Sequence, residues 1–218
     1  MGELINESNS FLEANKYLAE GIYEKAIELY EKFINDNLNK DRLKDVGRAY
    51  HNMGVAYDNQ KKYDLSMECF NKALECHSKN DNYKGMSWAY FSMGLIYGTL
   101  NKFEDMVAST KKAIDFGLKI GDLEIIIKSC NSIAHAFTQL NKYPESLKYL
   151  AQALEIGQDL GDSFYLSESY YLKGIVLEKL NLKKEAKDCF ALAIEEGAKG
   201  QNEKIVALAF SILSERQA

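Results

Sequence analysis

Residues 50–57 read Tyr50-His51-Asn52-Met53-Gly54-Val55-Ala56-Tyr57, and residues 90–97 read Tyr90-Phe91-Ser92-Met93-Gly94-Leu95-Ile96-Tyr97. The two stretches lie forty residues apart and agree at both tyrosines, the methionine and the glycine. Another step of forty reaches Ala134, followed by Phe137, and a further step reaches Gly174, followed by Leu177. A step backwards reaches Ala14, followed by Tyr17. A small residue with a large apolar or aromatic one three places on thus recurs five times in one register. Self-similarity at a fixed period of this length marks a repeat architecture.

Other positions keep the same period. Tyr23, Tyr63, Phe103 and Tyr143 form one column, which Lys183 breaks. Phe33, Ala73, Ala113, Ala153 and Ala193 form another, and Tyr30, Phe70, Thr110, Leu150 and Phe190 a third. Leu100-Asn101, Leu140-Asn141 and Leu180-Asn181 recur, as do Asn82, Asp122, Asp162 and Asn202. Each column has a mechanical reading. Gly or Ala lets two helices approach closely, and the large residue one turn on fills the space beside it. Asn after Leu accepts a left-handed backbone and ends a helix. Asn or Asp in the last column is a good N-cap, because its side chain accepts an orphan backbone N–H. Pro144 suits a first helical turn, where its missing N–H costs nothing.

Each repeat therefore reads helix, turn, helix, turn. First helices are expected near 5–20, 42–60, 83–100, 123–140 and 163–180, and second helices near 22–38, 62–79, 103–119, 143–159 and 183–199. A last helix is expected over about 202–216, where Ile205, Leu208, Ala209, Ile212 and Leu213 would cover the end of the stack. The expectation is one all-α domain over 1–218, with repeats at about 1–40, 41–80, 81–120, 121–160 and 161–200 and a capping helix. No helix pair of this kind buries its apolar face alone, so neighbours must stack.

Composition agrees. Of 218 residues, 46% are hydrophobic and 27% charged, which is globular and not disordered. One proline disfavours an all-β fold, which needs many turn breakers. A net charge of −5 gives no electrostatic reason to expect nucleic acid. Cys69, Cys76, Cys130 and Cys189 form no CxxC pair, so reduced buried thiols are expected. There is no apolar run of membrane-spanning length, and Met1 to Ser10 carries Glu3 and Glu7 with no basic leader. A cytoplasmic protein without a cofactor or metal is expected, bound to neither membrane nor nucleic acid.

The pattern resembles the tetratricopeptide repeat (TPR). Gly21-x-Tyr23-x-x-Ala26-x-x-x-Tyr30 matches the middle of that motif, and Gly54, Tyr57, Tyr63, Phe70 and Ala73 match it along a whole repeat. The period departs from the usual 34, and Gly121-Asp122 and Gly161-Asp162 stand where a proline is usual. Longer repeats of this kind are similar to those of spindle-orientation adaptors, kinesin light chains and bacterial peptide-pheromone receptors. The resemblance implies a right-handed superhelical solenoid of antiparallel helix pairs that binds a protein or a linear peptide, with no catalysis. An adaptor, a sensor for a short signalling peptide and, third, an enzyme are the readings in play. A monomer or weak homodimer is expected.

In that family the first helices line the concave surface. Carried onto this register, the groove would present Arg48, His51, Asn52, Val55 and Asp58, then Trp88, Phe91, Ser92, Leu95 and Thr99. It would continue with Lys128, Asn131, Ser132, His135, Thr138 and Gln139, then Glu168, Tyr171, Ile175 and Glu178. Trp88, Phe91 and Leu95 share a helical face and form either an apolar pocket or a seam with a neighbouring helix. Asn52, Asn131 and Gln139 could clamp a peptide backbone, since a carboxamide both donates and accepts. The relatives that clamp a terminal carboxylate use two asparagines, matched by Asn15 and Asn52. Their cationic positions hold Phe11, Trp88 and Ser92, so that clamp is not expected. His51 and His135 belong to non-adjacent repeats, and His77 adjoins Cys76 on a helix where adjacent residues diverge. Neither a P-loop, HExxH nor GxSxG occurs.

Overall fold

The computed structural model describes residues 2–38 and 42–215, with side chains from Ser10 onward. Among these are eleven helices and no strand. They are α1 (Gly2–Ala19), α2 (Tyr23–Asn37), α3 (Leu43–Asn59), α4 (Tyr63–Ser78), α5 (Tyr83–Thr99) and α6 (Phe103–Ile120). The chain continues with α7 (Leu123–Gln139), α8 (Tyr143–Leu160), α9 (Ser163–Lys179), α10 (Lys183–Lys199) and α11 (Glu203–Ser214). The expected end of the last helix at 216 falls outside the described residues.

The turns are built as their residues dictate. Asn101, Asn141 and Asn181 take left-handed φ of 57°, 57° and 60°, and Gly121 and Gly161 take 65° and 63°. At the first of these the Lys102 N–H reaches back 2.8 Å to the Tyr97 carbonyl and closes the helix end. Asn82 accepts from the Gly85 N–H at 3.2 Å, Asp122 from Ile125 at 3.3 Å, and Asn202 from Ile205 at 3.4 Å. Asp162 accepts twice, from Phe164 at 3.0 Å and Tyr165 at 3.2 Å. Pro144 sits in the first turn of α8.

The small column does what its size permits. A Cβ added at Gly54 would fall 2.7 Å from the Phe70 ring, and one at Gly174 would fall 2.6 Å from Phe190. Phe70 and Phe190 are wholly buried between their own helix pairs. Burying such a ring is worth about 2–3 kcal/mol, and at these two positions a Cβ would collide with it.

Each first helix packs on its own second helix, which packs on the next first helix. Successive first helices also touch one another, from α1–α3 to α9–α11. Among the described residues no two second helices touch. The stack therefore closes on the side of α1, α3, α5, α7, α9 and α11 and spreads on the other. That asymmetry bends a helical solenoid and makes the first helices its inner face. Among the described residues no helix is long and apolar enough to cross a membrane.

Candidate binding groove on the inner face

Side chains on the inner face divide by helical angle. Trp88 and Leu95 are seven residues apart, nearly two full turns, and both meet solvent: Trp88 is partly open and Leu95 exposed. Phe91 lies about 60° round the helix from Trp88 at 100° per residue. That rotation turns it into the seam with α7, where it is buried with Ile126, Ile127 and Cys130. Its ring meets Trp88 edge-on at 6.0 Å. The apolar stripe read from the sequence is thus split between groove and core.

The equivalent positions on other helices also face the seam. His51, forty residues before Phe91, hydrogen bonds to Ser92 across α3 and α5 at 3.1 Å. Asn131 is buried and donates to Glu168 at 3.4 Å, while its carbonyl accepts from Ser169 at 2.9 Å. Thr138 is buried on the Ala134 carbonyl at 2.7 Å and on Ser146 at 2.9 Å. These three polar groups tie helices together. Asn52 donates to Asn15 at 2.8 Å, and Tyr30 donates to the same oxygen at 2.7 Å, so the Asn15 carbonyl and the Asn52 amide nitrogen are engaged within the protein. Gln139 pairs with His135 at 3.3 Å at an exposed position. Tyr171 is half-buried beside Phe190.

Arg48, Trp88, Lys128 and His135 remain accessible on the inner face together with Leu95. Lys128 links three successive first helices. Its ammonium stands 4.9 Å from the centre of the Trp88 ring and 5.6 Å from that of Tyr165. It donates to Glu124 at 2.7 Å, and Glu124 accepts from the Tyr165 hydroxyl at 3.0 Å. The Lys128 bond holds the Glu124 carboxyl below its ordinary pKa. Burial drives the Glu168 carboxyl upward, against the Asn131 bond and nearby Lys128.

Between α3 and α5 the face deepens into a pocket of about 230 Å³ lined by Arg48, His51, Asn52, His77, Asn82, Lys84, Gly85 and Trp88. His77 comes from the second helix α4. Burial, with Arg48 and Lys44 nearby, pushes its pKa down to about 4. Burial likewise brings His51 to about 4, with His77 adding to the effect. Both rings are neutral at pH 7.

Sequence reasoning did not place Lys84, Asn82, Tyr165 or His77 in the groove. For His77 a signal existed. Its column reads Asn37, His77, Gly117, Gly157 and Gly197, so a ring stands where later repeats have no side chain.

Models of the tetratricopeptide repeat match residues 47–80, 89–116, 126–160 and 167–196. No curated protein matches the chain in sequence. Among solved structures, the chain is similar to BtubC of P. vanneervenii at 19% identity and a TM-score of 0.76, over 85% of this chain and 77% of that one. It is similar to the apo form of RapI at 16% identity and a TM-score of 0.82, covering 97% and 84% of the two chains. It is also similar to aspartyl phosphate phosphatase F of Bacillus subtilis at 16% identity and a TM-score of 0.75, over 98% of this chain and 60% of that one.

Proposed function

This chain belongs to the tetratricopeptide-repeat family, and we propose that it is an interaction scaffold that holds an extended segment of a protein or peptide partner along its inner face. One observation carries the proposal. Trp88, Lys128 and Tyr165 form a continuous, partly open surface across α5, α7 and α9. An extended chain crossing several repeats meets apolar and charged groups there in alternation, which suits side chains of mixed character.

Binding without chemistry fits the state of the nucleophiles. All four cysteines are buried. Burial pushes the Cys69 thiol up to about 11 and Cys130 up to about 12, which keeps them protonated at neutral pH. Among the described residues no three His, Cys, Asp or Glu side chains gather as a metal site.

The test uses a partner recovered by the whole protein from its native lysate. A combined Trp88→Ala and Leu95→Ser variant is expected to lower affinity about tenfold or more by calorimetry, the usual loss when an aromatic anchor is removed. Lys72→Ala on α4 is the outer-helix control and should bind as before. Undiminished affinity in the inner-face variant, with circular dichroism unchanged, would place the binding surface elsewhere.

A further inference from the structure

The pocket between α3 and α5 has a floor unlike the rest of the groove. His77 is 1% exposed and enters from α4 through a gap left by Gly47 and Gly85. A Cβ at Gly47 would fall 2.5 Å from the ring, and one at Gly85 would fall 2.4 Å from it. Asn82 fixes which ring nitrogen carries the proton. Its carbonyl oxygen is committed to the Gly85 N–H at 3.2 Å, so its amide nitrogen faces His77 Nδ1 at 3.0 Å. Nδ1 therefore accepts, and in the neutral ring the proton is on Nε2. No acceptor among the described residues pairs with Nε2. His77 lines the pocket, so this N–H is open to an acceptor that enters it.

The rim adds charge of one sign. Arg48 and Lys84 are both exposed there, and no lining residue is acidic, in a chain of net charge −5. Arg48 meets Asp45 at 3.5 Å, but that carboxylate also accepts from Arg42 at 3.2 Å. An incoming anion competes for Arg48 against an acid already served by another cation. Trp88 supplies an apolar wall.

We propose that this pocket is a carboxylate subsite: it takes an acidic side chain or C-terminus of the peptide held in the groove, with Arg48 and Lys84 at the rim and His77 Nε2–H at the floor. The assignment rests on the groove reading above and adds the chemistry of its ligand. Asn52 also lines the pocket, but its amide nitrogen already donates to Asn15, so the donors left to an anion are those of Arg48, Lys84 and His77. The pocket's volume of about 230 Å³ exceeds that of one Asp or Glu side chain, so the carboxylate enters with its stem against Trp88.

Trp88 is the only tryptophan, so its fluorescence reads the pocket directly. The probes are two tryptophan-free random dodecapeptide libraries, one with amidated and one with free C-termini, selected on the full chain. Selected peptides are expected to share an Asp or Glu at one register, or to require the free terminus, which separates the two sources. Converting that carboxylate to its amide should weaken binding about tenfold or more, and Lys84→Met and Arg48→Met should each weaken the acid peptide but not its amide. Peptides that shift Trp88 fluorescence with no preference for an acid would overturn the subsite and leave the groove reading standing. Equal affinity in Lys84→Met and Arg48→Met would overturn it too. Failure of both libraries to yield any peptide that moves Trp88 fluorescence would also overturn it, while the lysate partner decides the groove separately.

Discussion

His77 and its two glycines are one half of a size exchange that runs along the chain. At Gly117 an added Cβ would meet Ile125 at 2.7 Å, and at Gly157 it would meet Leu166 at 2.9 Å and Ile127 at 3.2 Å. In those repeats the second helix is bare and the first helices supply the bulk. At the junction of α3, α4 and α5 the second helix supplies the ring and the first helices are bare. Gly85 and Ile125 occupy the same register, as do His77 and Gly117. Gly85→Ile alone is therefore expected to cost about 2 kcal/mol or more through overpacking, despite the better helix propensity of isoleucine. Combined with His77→Gly it recreates the Gly117–Ile125 pairing. Urea unfolding of the four-member cycle should show a coupling of about 1–3 kcal/mol in favour of the pair. Additive losses would mean that the ring does not fill the gap.

The helices owe their lengths to local signals that repeat with the period. Asn101 ends α5 with φ of 57° and is exposed, so its contribution is conformational and not a matter of packing. Asn101→Ala should destabilise the protein by about 1 kcal/mol, the cost of a left-handed backbone for a residue with a Cβ and no compensating polar group. Asn101→Gly should be neutral or slightly stabilising, because glycine takes that conformation freely. Thermal unfolding of the two variants side by side measures the difference. The Asn and Asp caps and the left-handed turns at Asn101, Asn141 and Asn181 were legible in the sequence because they depend on one residue and its nearest backbone; Lys61, Asp81 and Gln201 also take left-handed φ, of 59°, 50° and 56°, which no Asn or Gly announces. The groove was less so. His51, Phe91 and Asn131 share a register that reads as inner face on an isolated helix, yet each points into the seam with the next first helix.

Among the described residues every helix touches only elements of its own or a neighbouring repeat. Stability in such a chain is a sum of repeat and junction terms, with no contact spanning the length. The central repeats have neighbours on both sides. At the far end α11 packs, among the described residues, only on α9 and α10, and Phe210 is 64% exposed there. Hydrogen exchange should accordingly be graded, with amides of α5, α6 and α7 the slowest and those of α11 exchanging well before them. A single exchange rate for all protected amides would show a cooperative unit instead and would contradict this arrangement.

Legible from the residues alone were the period of forty, the helix pairs, the Asn and Asp caps, the left-handed turns at Asn101, Asn141 and Asn181, and the small residues that let helices meet. Each of these follows from side-chain size or backbone preference at one position, repeated in register. Which inner-face residues stay open was settled by packing. A helical period defines a face relative to the helix itself, but the rotation of that helix against its neighbours is set by all the side chains in both seams. That rotation buried Phe91, Asn131 and Thr138, left Trp88, Lys128 and His135 accessible, and carried His77 from a second helix to the floor of the groove.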